Sequence, residues 1–470
     1  MNITKVPLAV MCLLHVATQI RAQESDSIRL INVDEIVITG SKTAVNRNNV
    51  PLTVTVVSNE KIENSSESAL LPVLSDFVPG LFVTQRGITG FGVATGAAGQ
   101  ITMRGIGGNP NTQVLVLLNG NPQFMGIMGH PLADAYVASD VEKVEVIRGP
   151  ASTLYGTNAM GGVINIITRE QNKEGYRANA RFMFGSYGTQ KYMINGGYRK
   201  KRFDIFASFN HDQTDGYRDS SDFSINNGYI RTGLTLNKQL KINADFSLAH
   251  FKATDPGPEN LVAGNSIDIY RGMGAIVFDN NFSETNGSLR FFYNFGKHNI
   301  SDGFHSTDNN YGLIAYQTFR PFRSNTITLG ADFKNYGGIA ENTEAMGGTG
   351  VIFGDTAVRE LAGYVYFQQE LFEKLILNAG FRLEHHSVYN FEPVPTVGFS
   401  YSPAKNTTIK ASVAKGFRSP TIRELYLFAP ANADLKPEQM INYEMGIMQR
   451  LFKTKLNLEL TVFKSVGNNL

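Results

Sequence analysis

The sequence holds one cysteine, Cys12, among 470 residues, and no tryptophan. Cys12 lies in a stretch that reads as a secretory signal, with Lys5 ahead of the apolar run Val6–Val16 and a cleavage point at Ala22 or Gln23. A lipid anchor at Cys12 is disfavoured because bulky Met11 precedes it. The mature chain, beginning near Gln23, then contains no thiol, which excludes a disulfide framework and a thiolate metal site. Neither sign of charge dominates, with 43 Lys+Arg against 41 Asp+Glu, so binding to nucleic acid through bulk charge is excluded. No uninterrupted run of about 18 apolar residues occurs, which excludes helical membrane spans and leaves a β-barrel open.

The sequence changes texture near residue 172. Before it, the apolar runs PLTVTVV (51–57), QVLVLLNG (113–120) and VEKVEVIRG (141–149) alternate with glycine-rich loops. One helix is predicted from about Glu60 to Leu74, N-capped by Ser58 or Asn59, with Pro79-Gly80 beyond its end. This part reads as a small mixed α/β domain around a buried sheet. After residue 172 alternation is strict: Ala178, Ala180, Phe182 and Phe184 share one face, and Arg177, Asn179 and Arg181 the other. The same period of two sets Leu329, Ala331 and Phe333 against Gly330, Asp332 and Lys334. It also sets Leu377, Ala379, Phe381 and Leu383 against Asn378, Gly380, Arg382 and Glu384. About fifteen such strands are countable.

Connections separate a barrel from a soluble sandwich, which would also alternate. Short ones are expected at Lys200-Lys201, Asn237–Gln239, Asn280–Ser283, Pro321–Ser324, Phe372–Lys374, Ser402–Asn406 and Phe452–Thr454. Long ones are expected opposite them, at 213–223, 253–265, 299–309, 337–357 and 418–437. An outer-membrane barrel predicts that asymmetry, and a sandwich has no reason for it. Lipid also demands closure of the sheet, because it offers no partner to a stray N–H or C=O.

Three stretches resemble the TonB-dependent outer-membrane transporters, and together the similarity covers nearly the whole mature chain. DEIVITGSK (34–42) resembles the TonB box and the start of the plug, and VEKVEVIRGPASTLYGTNAMGGVINIITR (141–169) resembles the end of the plug domain. KGFRSPTIRELYLFAPANADLKPEQMINYEMG (415–446) resembles the paired boxes, often FRAP and NPNL, of receptors for haem and related ligands. The resemblance implies an all-β transmembrane barrel with an N-terminal mixed α/β plug domain inside it. The expected division is signal peptide 1–23, TonB-box segment 24–43, plug 44–172 and partial barrel 173–470. Family barrels have about 22 strands. With about fifteen in view and no terminal aromatic after SVGNNL, the chain reads as truncated, and its closure and assembly are left open.

Site residues follow partly from chemistry and partly from the resemblance. Ile36 and Ile38, alternating with Val37 and Thr39 behind a flexible N-terminus, form an extended segment able to add a strand to a partner's sheet, or else an ordinary edge strand of the plug. By resemblance, Asp34, Glu35, Ile36, Val37, Ile38, Thr39 and Gly40 couple to TonB, which works with ExbB and ExbD. Arg104 and Arg148 lie where the barrel would bury them, and a buried guanidinium needs carboxylates, which inward-facing Asp332 or Glu384 would supply. In the family such arginines help to hold the plug against the wall.

The loop NPQFMGIMGHP (121–131) falls where the family's plug faces its ligand, which makes Phe124, Met125, Met128 and His130 the expected contacts, with His305 as the external candidate. Met125, Met128 and His130 are donors suited to copper or haem iron, and Met and Phe equally suit an apolar floor under a hydrophobic chelate. His211, His250, His298, His305, His385 and His386 all fall toward the end with the long connections, and parity puts His385 on the lipid face. No histidine lies between Phe417 and Leu435, and NADL replaces NPNL, which weakens the haem reading.

The expectation is an outer-membrane receptor and active transporter of a Gram-negative bacterium, set in lipid and lipopolysaccharide. It would be a monomer, bind no nucleic acid, hold no permanent cofactor and catalyse no reaction. Its cargo would be a scarce metal chelate, a ferric siderophore or haem first, cobalamin or copper next. A non-transporting surface receptor or adhesin is the alternative in a different class, against which the coupling strand argues. A non-functional fragment of a longer transporter is a third reading. Ligand identity and an external lipoprotein partner are left open.

Overall fold

The computed structural model describes residues 36–84, 100–108, 111–257, 260, 264–344, 350–427, 431–452 and 455–470. The expected signal peptide, Asp34 and Glu35 lie outside the described residues.

Fifteen antiparallel strands, from Gly175–Phe184 to Leu456–Asn468, form one sheet in which each strand pairs with its neighbours in sequence. Sequence alternation produces its two faces. Leu329 and Phe333 are 49% and 38% exposed on the outside, while Asp332 and Lys334 are 5% and 3% exposed on the inside. Leu377, Phe381 and Leu383 likewise face out, and Asn378, Arg382 and Glu384 are buried within. Among the described residues no pairing joins the first strand to the last, so the sheet is open.

The tight turns occur where expected, apart from 453–454, which lie outside the described residues, but the opposite end differs. The loops expected at 299–309 and 337–357 shrink to 301–303 and 343–350, because the strands run on. Val351–Leu371 has 21 residues, about twice what crosses a bilayer. Beyond the lipid a ladder needs only its backbone bonds, so the apolar alternation that reveals a strand in sequence is not required there. The connections after Thr214, Asp255 and Arg418 stay long.

The plug fills the concave side of this wall. Its main sheet runs Val54–Ser58, Val141–Arg148, Gly162–Thr168, Val114–Leu118, Asn121–Pro122, with Gly162–Thr168 parallel to Val114–Leu118 and antiparallel to Val141–Arg148. Val114–Leu118 is buried at every position, which explains its uninterrupted apolar sequence. The single helix expected over 60–74 is instead two short ones, Asn59–Glu63 and Leu70–Leu74. Wall side chains capture the backbone between them. Arg181 donates to the carbonyls of Glu63 (2.7 Å) and Ser65 (2.9 Å), Lys191 donates to that of Ser66 (3.2 Å), and the Ser68 hydroxyl donates to Asp212 (2.9 Å). The serines in this stretch readily leave a helix when such partners are offered.

Candidate functional site

The segment expected to couple to TonB is docked on the plug. Ile36–Val37 pairs antiparallel with Val45–Asn46. Ile36 and Ile38 are 59% and 42% exposed, while Val37 and Thr39 are fully buried. One oxygen of Glu145, Oε2, accepts the N–H of Ile38 (2.9 Å), the N–H of Thr39 (2.8 Å) and the Thr39 hydroxyl (2.6 Å). Lys143 Nζ sits 2.7 Å from the other oxygen and donates to the Ile36 carbonyl at 2.8 Å. The Tyr155 hydroxyl donates to the Thr39 carbonyl, and Asn165 Nδ2 to Thr39 Oγ1, both at 2.9 Å. Gly40 packs against Val50, where a Cβ would lie 2.6 Å from Cγ1.

Lys42 follows in a left-handed turn with φ 64°, its ammonium 3.5 Å from the centre of the Tyr155 ring. Burial, offset only in part by Asp332, pushes its pKa down to about 7. The segment lies on the side of the tight turns. There Arg47 reaches Glu459 at 3.1 Å and Lys410 donates to the Arg47 carbonyl at 2.6 Å.

Arg104 occupies the turn after Ile101–Met103 and donates to Glu444 of the wall, which also accepts the Thr53 hydroxyl. Arg148 donates to Glu459 at 2.9 Å. The carboxylates expected opposite them are engaged elsewhere, since Asp332 and Glu384 both bind Arg382 at 2.7 Å. Parity placed those acids on the inside but said nothing of which part of the plug they face. Arg382 and Glu384 lie against Gly156, where a Cβ would be 2.7 Å from Arg382 Nη2 and 2.8 Å from Glu384 Oε2.

The loop 121–131 is pressed against the wall at the other end. Gly126 N–H donates to Asp308 at 2.7 Å, and Asp308 holds Arg271 through bonds of 2.9 and 2.6 Å. Phe124 meets Tyr336 edge-on at 5.4 Å. Met125 is 1% exposed and packed among Phe223, Phe251 and Ile269, and Met128 packs against the same cluster. Met125 is therefore a packing residue and does not face the exterior, while Met128 and His130 are half-buried. His130 Nδ1–H donates to the Pro131 carbonyl at 3.0 Å, and burial pushes its pKa down to about 4, so the ring is neutral near pH 7. Among the described residues no three His, Cys, Asp or Glu side chains gather as a metal-binding group.

His305, expected in an external loop, is instead the second residue of the strand Phe304–Phe319. It shares the outer face with Tyr311, turned away from the plug, and bonds Asn299 at 2.9 Å. His385 is on the outer face against Phe391, whereas His298 and His386 are buried within. A cavity between plug and wall, lined by Phe124, Tyr136, Tyr229, Arg271 and Asn294, measures ≈ 50 Å³. This one is too small for a chelate, which needs about 300 Å³ or more; a second, between Glu63, Glu67 and Arg169 of the plug and Arg181 and Met193 at the sheet's first two strands, measures ≈ 460 Å³.

Glu145, Asn165, Tyr155, Asp308, Glu444 and Glu459 do not stand out in the sequence as site residues. For two of them a signal exists. Glu145 is an acid amid Val144, Val146 and Ile147, and Asn165 is an amide in the apolar run GVINII. A polar residue in a strand buried on both faces must have dedicated partners.

Residues 155–470 match the TonB dependent receptor-like β-barrel family, and residues 46–163 match the TonB-dependent receptor plug domain. The vitamin B12 transporter BtuB of Vibrio vulnificus (strain YJ016) is 23% identical over 443 residues, covering 89% of this chain and 68% of the relative. The iron-regulated outer membrane virulence protein of Vibrio cholerae serotype O1 is 25% identical over 457 residues, covering 88% of this chain and 66% of the relative. The chain thus spans about two thirds of the length of these relatives. The crystal structure of the siderophore receptor PirA from Pseudomonas aeruginosa superposes with a TM-score of 0.70 at 20% identity, covering 88% of this chain and 74% of the other, and shares its fold.

Proposed function

This chain belongs to the TonB-dependent receptor family, and on that premise we propose that it is an energised importer of the outer membrane that carries a metal chelate past its plug. TonB, driven by ExbB and ExbD, would draw on residues 34–40, and the chelate would arrive at the loop 121–131. The family is one of non-enzymatic transporters, so no bond of the cargo is broken.

The observation that carries this reading is the opposition of the plug's two ends. Ile36 and Ile38 present an exposed edge on the side of the tight turns, and the loop 121–131 packs under strand ends on the other side. The close packing of the loop 121–131 on the wall at Gly126 supports a plug that must be displaced before cargo passes. Lipopolysaccharide and lipid would surround the outer belt that includes Phe246, Leu248, Ile276 and Phe291.

A ferric siderophore or haem is the cargo this reading favours, in keeping with an iron-regulated relative. Cobalamin is the second reading, favoured by the likeness to a vitamin B12 transporter. Of the proposed metal donors, Met128 and His130 keep partial access and Met125 does not, which favours a floor beneath an intact chelate over capture of a bare copper ion.

Titration of the purified chain with a ferric siderophore, haem, cobalamin and Cu(II) tests this. Saturable binding of an iron chelate, weakened by Met128→Ala with His130→Ala, is expected. Binding of cobalamin alone would replace the first reading with the second, and binding of Cu(II) alone would overturn both.

A further inference from the structure

Three side chains of the plug, those of Glu145, Tyr155 and Asn165, converge on Thr39. Asn165, 6% exposed in the middle of Gly162–Thr168, bonds in two directions. Its Oδ1 accepts the N–H of Gly120 at 3.0 Å, and its Nδ2 donates to Thr39 Oγ1 at 2.9 Å. The Thr39 hydroxyl gives its single proton to Glu145 Oε2 at 2.6 Å, so it meets Asn165 only as an acceptor. The amide orientation is thereby fixed at both ends, since Gly120 needs an acceptor and Thr39 needs a donor.

Gly120 is the root of the loop 121–131. The strand pair Leu118 with Asn121, and the bond from Gln123 N–H to the Val116 carbonyl at 2.9 Å, make that root continuous with Val114–Leu118. The far part of the loop is held at Gly126 by Asp308. An amide in an apolar strand carries a desolvation penalty that a leucine of similar size would not, unless both its ends are bonded.

We propose that Asn165 is a positioning residue that ties the root of the ligand-side loop to the coupling segment, with Thr39 as the latch. While Gly120, Asn165, Thr39 and Glu145 stay hydrogen-bonded in series, Val37–Gly40 remains docked. Displacement of the loop 121–131 withdraws the Asn165 amide from Thr39 and loosens the segment for a strand-accepting partner. This rests on the reading that residues 34–40 couple to such a partner.

The test uses the full chain in outer-membrane vesicles with Cys12→Ser and a reporter, Val37→Cys, whose reaction with a maleimide reads undocking without any ligand. Asn165→Leu should speed labelling about tenfold, the scale of one net buried hydrogen bond; Thr39→Val, which also removes the hydroxyl's bond to Glu145, should speed it more, and their combination should add nothing to Thr39→Val alone. Gly126→Ala, which forces the loop off the wall, should speed labelling when Asn165 is present and add nothing in the Asn165→Leu chain. Asn165→Asp, which keeps the acceptor for Gly120 and loses the donor to Thr39, should behave as Asn165→Leu and serves if the leucine variant does not fold.

Unchanged labelling, equal effects of Gly126→Ala in both backgrounds, or parallel labelling of a control Val73→Cys in Leu70–Leu74 would each overturn the proposal. Failure of the coupling reading is separate. It would appear as cargo accumulation unaffected by deletion of 34–40, with the labelling pattern intact.

Discussion

Gly126 has no room for a side chain. A Cβ there would lie 2.2 Å from the Asn309 carbonyl and 2.6 Å from that of Gly337, and both obstacles are backbone. Gly126→Ala should therefore destabilise the chain by about 1–3 kcal/mol, the range of overpacked sites, and open the loop 121–131 to protease. Thermal unfolding with limited proteolysis checks this, and an unchanged midpoint would refute it.

Lys42 carries a pH dependence of known sign. Docked, its pKa is about 7, held there by burial despite Asp332 and lowered further by Arg290, Arg382 and Lys334, against an ordinary value of 10.5. Between those values the undocked lysine binds more protons than the docked one, so docking strengthens as pH rises from 7 toward 10.5 and is weakest below 7. Calorimetric melting across this interval should show a rise that Lys42→Met lacks. At this scale the pairing of Arg104 and Arg148 with acids was legible because an arginine buried inside a barrel must find one, though Arg104 sits in a turn and not on the strand expected. Their partners Glu444 and Glu459 were not, because facing across the seam depends on how the plug is rotated within the wall.

Among the elements, the contact of the turn after Ile101–Met103 with the strand Glu438–Leu451 rests on a buried ion pair, Arg104 with Glu444. Removing one partner leaves an uncompensated charge, so Arg104→Ala should cost about 3–5 kcal/mol. Removing both, as Arg104→Met with Glu444→Leu, should restore most of it, because the desolvation penalty leaves with the charges. A double-mutant cycle by denaturant unfolding measures this, and additive losses would contradict a buried pair.

The wall strands were legible because alternation there is enforced by lipid on one side and a polar plug on the other, as at Leu329 to Lys334. The interruption at 64–69 was not, since the groups that capture its carbonyls, Arg181 and Lys191, come from strands more than a hundred residues away in sequence. The extension of strands through 304–309 and 337–342 escaped notice for the opposite reason: above the lipid no apolar periodicity marks them. Met125 read as a ligand because its loop position was visible and its packing partners Phe223 and Phe251 were not.

For the whole molecule, plug and wall form one polar seam, with ion pairs at Glu444 and Glu459 and a second anchor at Asp308, while Glu145 holds Thr39 within the plug. The resemblance was legible because segments such as 141–169 carry the plug's core strands, whose residues are fixed by burial on both faces. The cargo was not, because the loop proposed to meet it, 121–131, is occupied largely with packing, and Met128 and His130 alone of its residues are partly exposed. On the proposed reading, anchors at both ends of the plug would keep cargo binding alone from clearing a passage, and force on the segment 34–40 would be what opens one.

The most direct test is accumulation of the iron chelate that binds best, measured in cells producing the full chain, the same chain lacking residues 34–40, and the full chain without TonB. The account predicts surface binding in all three and accumulation in the first alone. Accumulation that proceeds unchanged without residues 34–40 would contradict it.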